Sequence, residues 1–227
     1  MGTINVVTET QQLLADRKQA AEMLNSQLAD YKNTENMVVL GIPRGGVVVA
    51  DNLARGLQGQ MDVMLTRKVR AYHNPELAVG AVTEDGKIYL NDSIVSALGI
   101  TKQYIENEKR HQLEEIQQRK KIYRTILKKK SISNNTVILT DDGVATGATM
   151  QAAIWAAIAE FPKKVILALP VAPPDTLKRL SKDVDETVCL CSSSEFHSIS
   201  QFYTNFEQVD DEQVVDILKY YAKGTLR

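Results

Sequence analysis

Two adjacent carboxylates, Asp141 and Asp142, end an apolar run that begins at Val137. The loop after them, Gly143-Val-Ala-Thr-Gly-Ala-Thr149, consists of small and hydroxyl residues, and a helix-forming stretch runs on from Met150 to Ala159. A strand that delivers acids to its C-terminal end and then opens into a helix makes a specific kind of site. The acids can accept from sugar hydroxyls. Free N–H groups of the loop and helix start, with the hydroxyls of Thr146 and Thr149, can cradle a phosphate. A phosphorylated ribose needs both devices side by side. The plainer alternative is a strand–turn–helix whose acids only cap the helix. The Thr-Gly-Ala-Thr that follows fits that alternative poorly.

A second candidate is Gly41-Ile-Pro-Arg-Gly-Gly46, after the apolar run Met37–Ile42. Glycines let a backbone approach an anion closely, and Arg44 adds a fork of donors suited to phosphate oxygens. By itself this is equally a tight turn with a solvent-facing arginine. A third is Arg67-Lys68, at the end of a strand over Asp62–Thr66. Read alone, it is a pair of surface charges.

These pieces need a frame that brings strand ends together. Strands are expected at Met37–Ile42, Asp62–Thr66, Val137–Thr140, Lys164–Val171 and Thr187–Cys191, with helices at Val47–Leu57, Met150–Ala159, Asp175–Lys182 and Asp211–Tyr221. That alternation implies an α/β fold with a mainly parallel sheet and right-handed crossovers. In such sheets ligands bind beyond the C-terminal strand ends. Residues Thr10–Tyr31 read as one amphipathic covering helix, with Leu13, Ala20, Leu24, Leu28 and Tyr31 on a stripe. Val69–Glu76 is polar, holds Pro75 and reads as an exposed loop carrying a surface His73. Leu77–Leu90 reads as a hairpin turning at Glu84-Asp85-Gly86-Lys87. Residues 91–130 form a charged helical insertion, broken at Gly99, whose long helix of about 30 residues would span ~45 Å. Its sparse apolar positions suit packing along one narrow seam. Lys128-Lys129-Lys130 reads as a helix end that complements the dipole.

The 227 residues suit one domain, 1–227, with a small addition at 192–227 formed by a hood and a C-terminal helix. A formal net charge of −1 argues against a nucleic-acid partner or an anionic membrane. No apolar stretch nears the ~20 residues of a spanning helix, and the N-terminus lacks a secretory pattern. A cytoplasmic location is the expectation. Cys189 and Cys191 lie two apart on a strand, so a bond between them would need unusual geometry. They read as buried thiols in a reducing compartment.

The run Val137-Ile-Leu-Thr-Asp-Asp-Gly-Val-Ala-Thr-Gly-Ala-Thr149 resembles the ribose-phosphate motif of type I phosphoribosyltransferases, which use phosphoribosyl pyrophosphate (PRPP) as donor. The Gly41–Gly46 turn resembles the family's pyrophosphate loop. The likeness covers roughly Met37 to Cys191. It is nearest to a bacterial and archaeal group with Pro-Arg-Gly-Gly, an Arg-Lys before a Glu-Leu-Ala-x-Gly-Ala hairpin entry, Asp-Asp-Gly-x-Ala-Thr-Gly-Ala-Thr-Met, and Pro-Val-Ala-Pro-Pro. All of these stand here, the hairpin entry as Glu76–Ala81.

The resemblance implies a type I phosphoribosyltransferase fold of about five parallel strands, helices on both faces, a hairpin lid and a small hood. It implies displacement of pyrophosphate from PRPP by a nitrogenous acceptor. Asp141 and Asp142 would hold the ribose hydroxyls. Ala145, Thr146, Gly147, Ala148 and Thr149 would bind the 5′-phosphate. Arg44, Gly45 and Gly46 would bind pyrophosphate, with Arg67 and Lys68 acting on the leaving group. Mg²⁺ is expected mainly through PRPP oxygens, near Asp141 and Asp142. Phe196 and Tyr203 of the hood are candidates to stack on the acceptor, against a reading of the hood aromatics as a small core. Ala145 departs from members that accept hypoxanthine or guanine, which carry an acid there. A homodimer is compatible with this reading. The rival is a regulator that senses PRPP or a nucleotide without turnover.

Overall fold

The computed structural model describes residues 2–9 and 13–223. Along the chain run β1 (Thr3–Thr8), α1 (Arg17–Gln27), β2 (Met37–Gly41), α2 (Gly45–Leu57) and β3 (Gln60–Val63). Then come β4 (Thr66–Ala71), β5 (Asn74–Thr83), β6 (Ile88–Leu90), α3 (Asp92–Ala97) and α4 (Lys102–Tyr123). The last third holds β7 (Thr136–Thr140), α5 (Ala148–Ile158), β8 (Lys164–Ala172), α6 (Pro174–Leu180), β9 (Glu186–Ser192) and α7 (Asp211–Ala222).

Six strands form one parallel sheet in the order β1-β9-β8-β7-β2-β3. Its central strands are apolar on both faces because helices cover both. Alternate residues feed two separate cores. Met37, Val39 and Ile138 join the helices α1, α2 and α7 on one side. Val38, Leu40, Val137 and Leu139 join α5 and α6 on the other. Each fully buried aliphatic side chain contributes about 1.5–3 kcal/mol. Cys189 and Cys191 are buried and form no disulfide, and burial pushes the Cys189 thiol up to about 12.

The sheet has one strand more than expected. Thr3–Thr8 pairs parallel with β9 at the sheet edge, and its mixed exposure hid the alternation that marks a strand. The long N-terminal helix is shorter than its stripe suggested. Asp16 caps α1 by accepting from the Gln19 N–H, so the helix starts at Arg17. Residues 10–12, where the helix was expected to begin, lie outside the described residues.

The expected loop at 69–76 is a strand pair. β4 and β5 are antiparallel around a Tyr72-His73 turn and, with β6, form a second three-stranded sheet. Val69 and Ala71 are buried, so packing overrides the polar composition. Pro75 sits where β5 has an open edge and needs no ladder donor. Arg67 and Lys68 therefore lie on the lid's first strand, not at the end of a core strand. α5 is sandwiched between the two sheets. Most of its residues are buried, which explains a helix that is apolar all round.

α4 has 22 residues, about 33 Å, and lies along the lid through a mainly polar seam. Tyr104 Oη donates to the Arg70 carbonyl at 3.0 Å, and its ring is 3.6 Å from that of Tyr72. Arg70 pairs with Glu108 at 3.5 Å. At the base of the lid, Arg124 joins Asp62 at 2.6 Å and Glu84 at 2.7 Å. Both acids are buried, at 1% and 4% exposure. Glu84, placed in an exposed turn by its neighbours Asp85 and Gly86, is thus an anchor between the two sheets.

Candidate active site

Asp141 and Asp142 lie directly beyond β7, beside the loop that ends β2. The contact is close enough to dictate sequence. A Cβ on Gly45 would stand 1.9 Å from Asp142 Oδ2, and one on Gly46 would stand 2.8 Å from Asp141 Oδ1. Both glycines are required by the approach of the loop to the acids, before any ligand is considered. The Pro43–Arg44 peptide bond in this loop is cis. Arg44 is the residue before α2, and its guanidinium reaches Asp211 at 4.0 Å while staying partly exposed.

The acid pair is held from below by the chain ends. Arg17 Nε donates to Asp142 Oδ2 at 2.8 Å, and Arg17 Nη1 donates to the Glu207 carbonyl at 2.8 Å. The Phe206 ring lies 4.0 Å from the Arg17 guanidinium. Tyr203 Oη donates to the Asp142 carbonyl at 2.6 Å. The Leu14 N–H donates to the Phe202 carbonyl, and the Thr204 N–H to that of Leu14, which ties the N-terminal segment to the hood. Asp141 Oδ1 accepts from the Asp142 N–H at 2.9 Å. Burial, and then the adjacent Asp142 carboxylate, push the Asp141 carboxyl well above the usual carboxylate range.

Arg17 could not be found by motif. One local signal exists: a cation in the first turn opposes the helix dipole, and α1 has no acid there to offset it. Arg17 sits there because its partner is across the sheet.

The Ala145–Thr149 loop is fixed from its outer side. Thr176 Oγ1 donates to the Ala145 carbonyl at 2.8 Å, and Arg179 donates to the Thr146 carbonyl. A trans peptide points its N–H opposite its carbonyl. The N–H groups of Thr146 and Gly147 therefore face away from α6. Gly147 has φ +73°, a conformation that favours glycine, and precedes α5. The first N–H groups of α5, on Ala148, Thr149 and Met150, have no partner within the helix.

On the other side of the loop a cavity of about 260 Å³ opens between Pro43, Thr149, the lid and α4. Arg67 and Lys68 line it with Arg119. Arg67 Nε donates to Gln112 Oε1 at 2.8 Å, and Gln112 is buried at 1% exposure. Lys68 pairs with Glu76 at 3.2 Å, and Thr146 Oγ1 donates to the other Glu76 oxygen at 3.1 Å. The Lys68 contact holds the Glu76 carboxyl below the usual range. Glu76 thus bridges the lid and the Ala145–Thr149 loop. It belongs to the hairpin-entry motif, but its spacing gave no hint of this contact.

Phe196 and Tyr203 do not share one open face. Tyr203 is 5% exposed, with its ring against Phe206 and its hydroxyl under Asp142. It supports the acids and presents no free stacking surface. Phe196 is half-buried, 5.0 Å from the buried Phe202 ring. His73 is exposed at the hairpin tip. Among the described residues, no group of three or more His, Cys, Asp or Glu is gathered to hold a metal.

A parallel sheet flanked by helices, with paired acids and a glycine-containing loop at its β7 end facing an antiparallel sheet, is the arrangement of the phosphoribosyl transferase fold. Known proteins agree. The family model for the phosphoribosyl transferase domain matches residues 7–207, and the chain belongs to that family. Two curated proteins from strains of Mycobacterium tuberculosis, whose names carry the words phosphoribosyl transferase, are 39% identical over 206 residues. The match covers 91% of this chain and 46% of theirs, so the chain spans about half the length of these relatives. The crystal structure of TT1426 from Thermus thermophilus is 40% identical, with a TM-score of 0.87 over 92% of this chain and 99% of that one.

Proposed function

We propose that this domain transfers the phosphoribosyl group of PRPP to a nitrogenous acceptor, a base or related amine. The observation that carries this is the abutment of three devices at one sheet edge: the acid pair, the Ala145–Thr149 loop, and the Arg44–Gly46 turn packed on the acids. The bond from C1 to the pyrophosphate oxygen breaks, the bond from C1 to the acceptor nitrogen forms, and the acceptor proton passes to solvent. Asp141 and Asp142 take the ribose hydroxyls and offset positive charge at the sugar. Ala145, Thr146, Gly147, Ala148 and Thr149 take the 5′-phosphate, chiefly through N–H groups. Arg44, Gly45, Gly46, Arg67 and Lys68 take the leaving pyrophosphate, and the lid keeps water away.

Two adjacent carboxylates without a third ligand suit an Mg²⁺ ion that arrives on phosphate oxygens, rather than one held in a protein cage. When bound, that ion neutralises charge on the departing pyrophosphate. Arg17 holds Asp142 in place through its 2.8 Å contact with Oδ2.

PRPP with Mg²⁺ at 100 times its Kd should stabilise the fold by about 2.7 kcal/mol. For a chain of this size that is a melting shift of roughly 5–10 °C. If ionised Asp141 holds the ribose, the shift should grow as pH rises through the raised Asp141 value, because the protonated acid is the weaker acceptor. Thermal scans across acidic to neutral pH check this. A shift that is absent, or largest at low pH, would count against the assignment.

A further inference from the structure

The helical insertion brings to the cavity beside Arg67 a cation that no motif contains. The other cations there are answered by protein groups. Arg67 has Gln112 at 2.8 Å and Glu115 at 3.8 Å, Lys68 has Glu76 at 3.2 Å, and Arg70 has Glu108 at 3.5 Å. Arg119 has neither a hydrogen bond nor an ion pair among the described residues, although it is partly buried and lines the same cavity. A guanidinium stays charged at any working pH, and withdrawing a charge from water without a partner is unfavourable. Arg119 also stands close enough to Arg67 for the two charges to oppose each other. A solvated helix would have turned this side chain outward. Two guanidiniums, one on the lid strand and one on α4, instead face a cavity that reaches Pro43 and Thr149. That arrangement is unfavourable when empty and is relieved by a multiply charged anion.

We infer that Arg119 is a ligand-binding residue that, with Arg67, grips the diphosphate of the donor and makes α4 part of the active site. The inference rests on the phosphoribosyl-donor reading above and adds a specificity to it. The phosphate loop recognises the monoester end of the sugar, whereas Arg119 recognises only a ligand that carries phosphate at C1. It also gives the insertion a purpose. One face of α4 orients Arg67 through Gln112 and Glu115 and supplies Arg119 one turn further on. An anion bridging the two arginines ties the lid to α4.

The test is calorimetric titration of inorganic pyrophosphate with Mg²⁺, and separately of ribose 5-phosphate, into wild type, Arg119→Gln and Arg119→Lys. Arg119→Gln should weaken pyrophosphate about ten-fold or more, the scale of one charge-assisted contact. It should also flatten the dependence on ionic strength. Arg119→Lys should recover part of the loss. Ribose 5-phosphate affinity should be unchanged in both variants. Unchanged pyrophosphate affinity in folded Arg119→Gln, or an equal loss for both ligands, overturns the inference while leaving the donor reading standing. A wild-type protein that binds neither ligand overturns both.

Discussion

Replacing Asp141 and Asp142 together by Asn is expected to weaken PRPP binding by about two orders of magnitude while leaving the fold intact. The scale is that of two charge-assisted hydrogen bonds at about 1.5 kcal/mol each. The fold should survive because the amide oxygen that replaces the Asp141 carboxylate still accepts from the next N–H, and the loop glycines meet side chains of the same shape. Charge is lost where burial and the neighbouring acid already oppose it, so no stabilising ion pair disappears at Asp141. At Asp142 the change leaves Arg17 without its counter-charge, and some loss of melting temperature should accompany it. Calorimetry on the double variant, with circular dichroism to confirm folding, provides the check. Wild-type affinity in a folded double variant would remove the acids from the site.

The largest stability effect is expected at Arg124. Its guanidinium donates to Asp62, Glu84 and the Val63 carbonyl, joining the core sheet, the lid turn and the end of α4. Arg124→Met would strand two buried carboxylates. Breaking such a network from one side costs about 3–5 kcal/mol, a fall of roughly 6–20 °C in melting temperature for a chain of this length. Neutralising all three groups, as Asp62→Asn with Glu84→Gln and Arg124→Met, should restore most of the loss, since no unpaired charge remains. Denaturant unfolding of the single and triple variants tests both halves. A loss under about 1 kcal/mol in the single variant would mean that water reaches the acids and the network is not a clamp.

The core strands and the acid pair were legible because their signals are local. An unbroken apolar run, two carboxylates and a Thr-Gly-Ala-Thr turn all sit within a few residues of one another. What was not legible depends on partners distant in sequence. Arg17 is 125 residues from Asp142, and Gln112 is 45 from Arg67. β1 is an edge strand with one covered side, so its sequence carries half the usual pattern. The β4–β5 pair was hidden by Pro75 and by charges that face the cavity instead of solvent. Tyr203 shows the limit of reading aromatics by type. Its ring is as suited to stacking on a base as to filling a core, and burial beneath Asp142 decides for the second.

On the proposed reading the acceptor side of the cleft is chemically sparse. Ala145 is exposed in the loop after the acids and offers no carboxylate to a purine N7 proton. Phe196 and Phe206 are the half-buried hood aromatics, and Phe206 is packed against Tyr203 and the Arg17 guanidinium. On the proposed reading, hypoxanthine and guanine are poor acceptors, and a planar adenine-like or non-purine nitrogen compound is favoured.

The most direct measurement is pyrophosphate release from labelled PRPP with Mg²⁺ across a panel of bases and amines. Release is expected with at least one planar nitrogen acceptor, little with hypoxanthine or guanine, and none in the Asp141→Asn, Asp142→Asn double variant. Efficient turnover of guanine would contradict the argument from Ala145. Tight PRPP binding with no release for any acceptor would contradict transfer itself and leave a PRPP-sensing protein in its place.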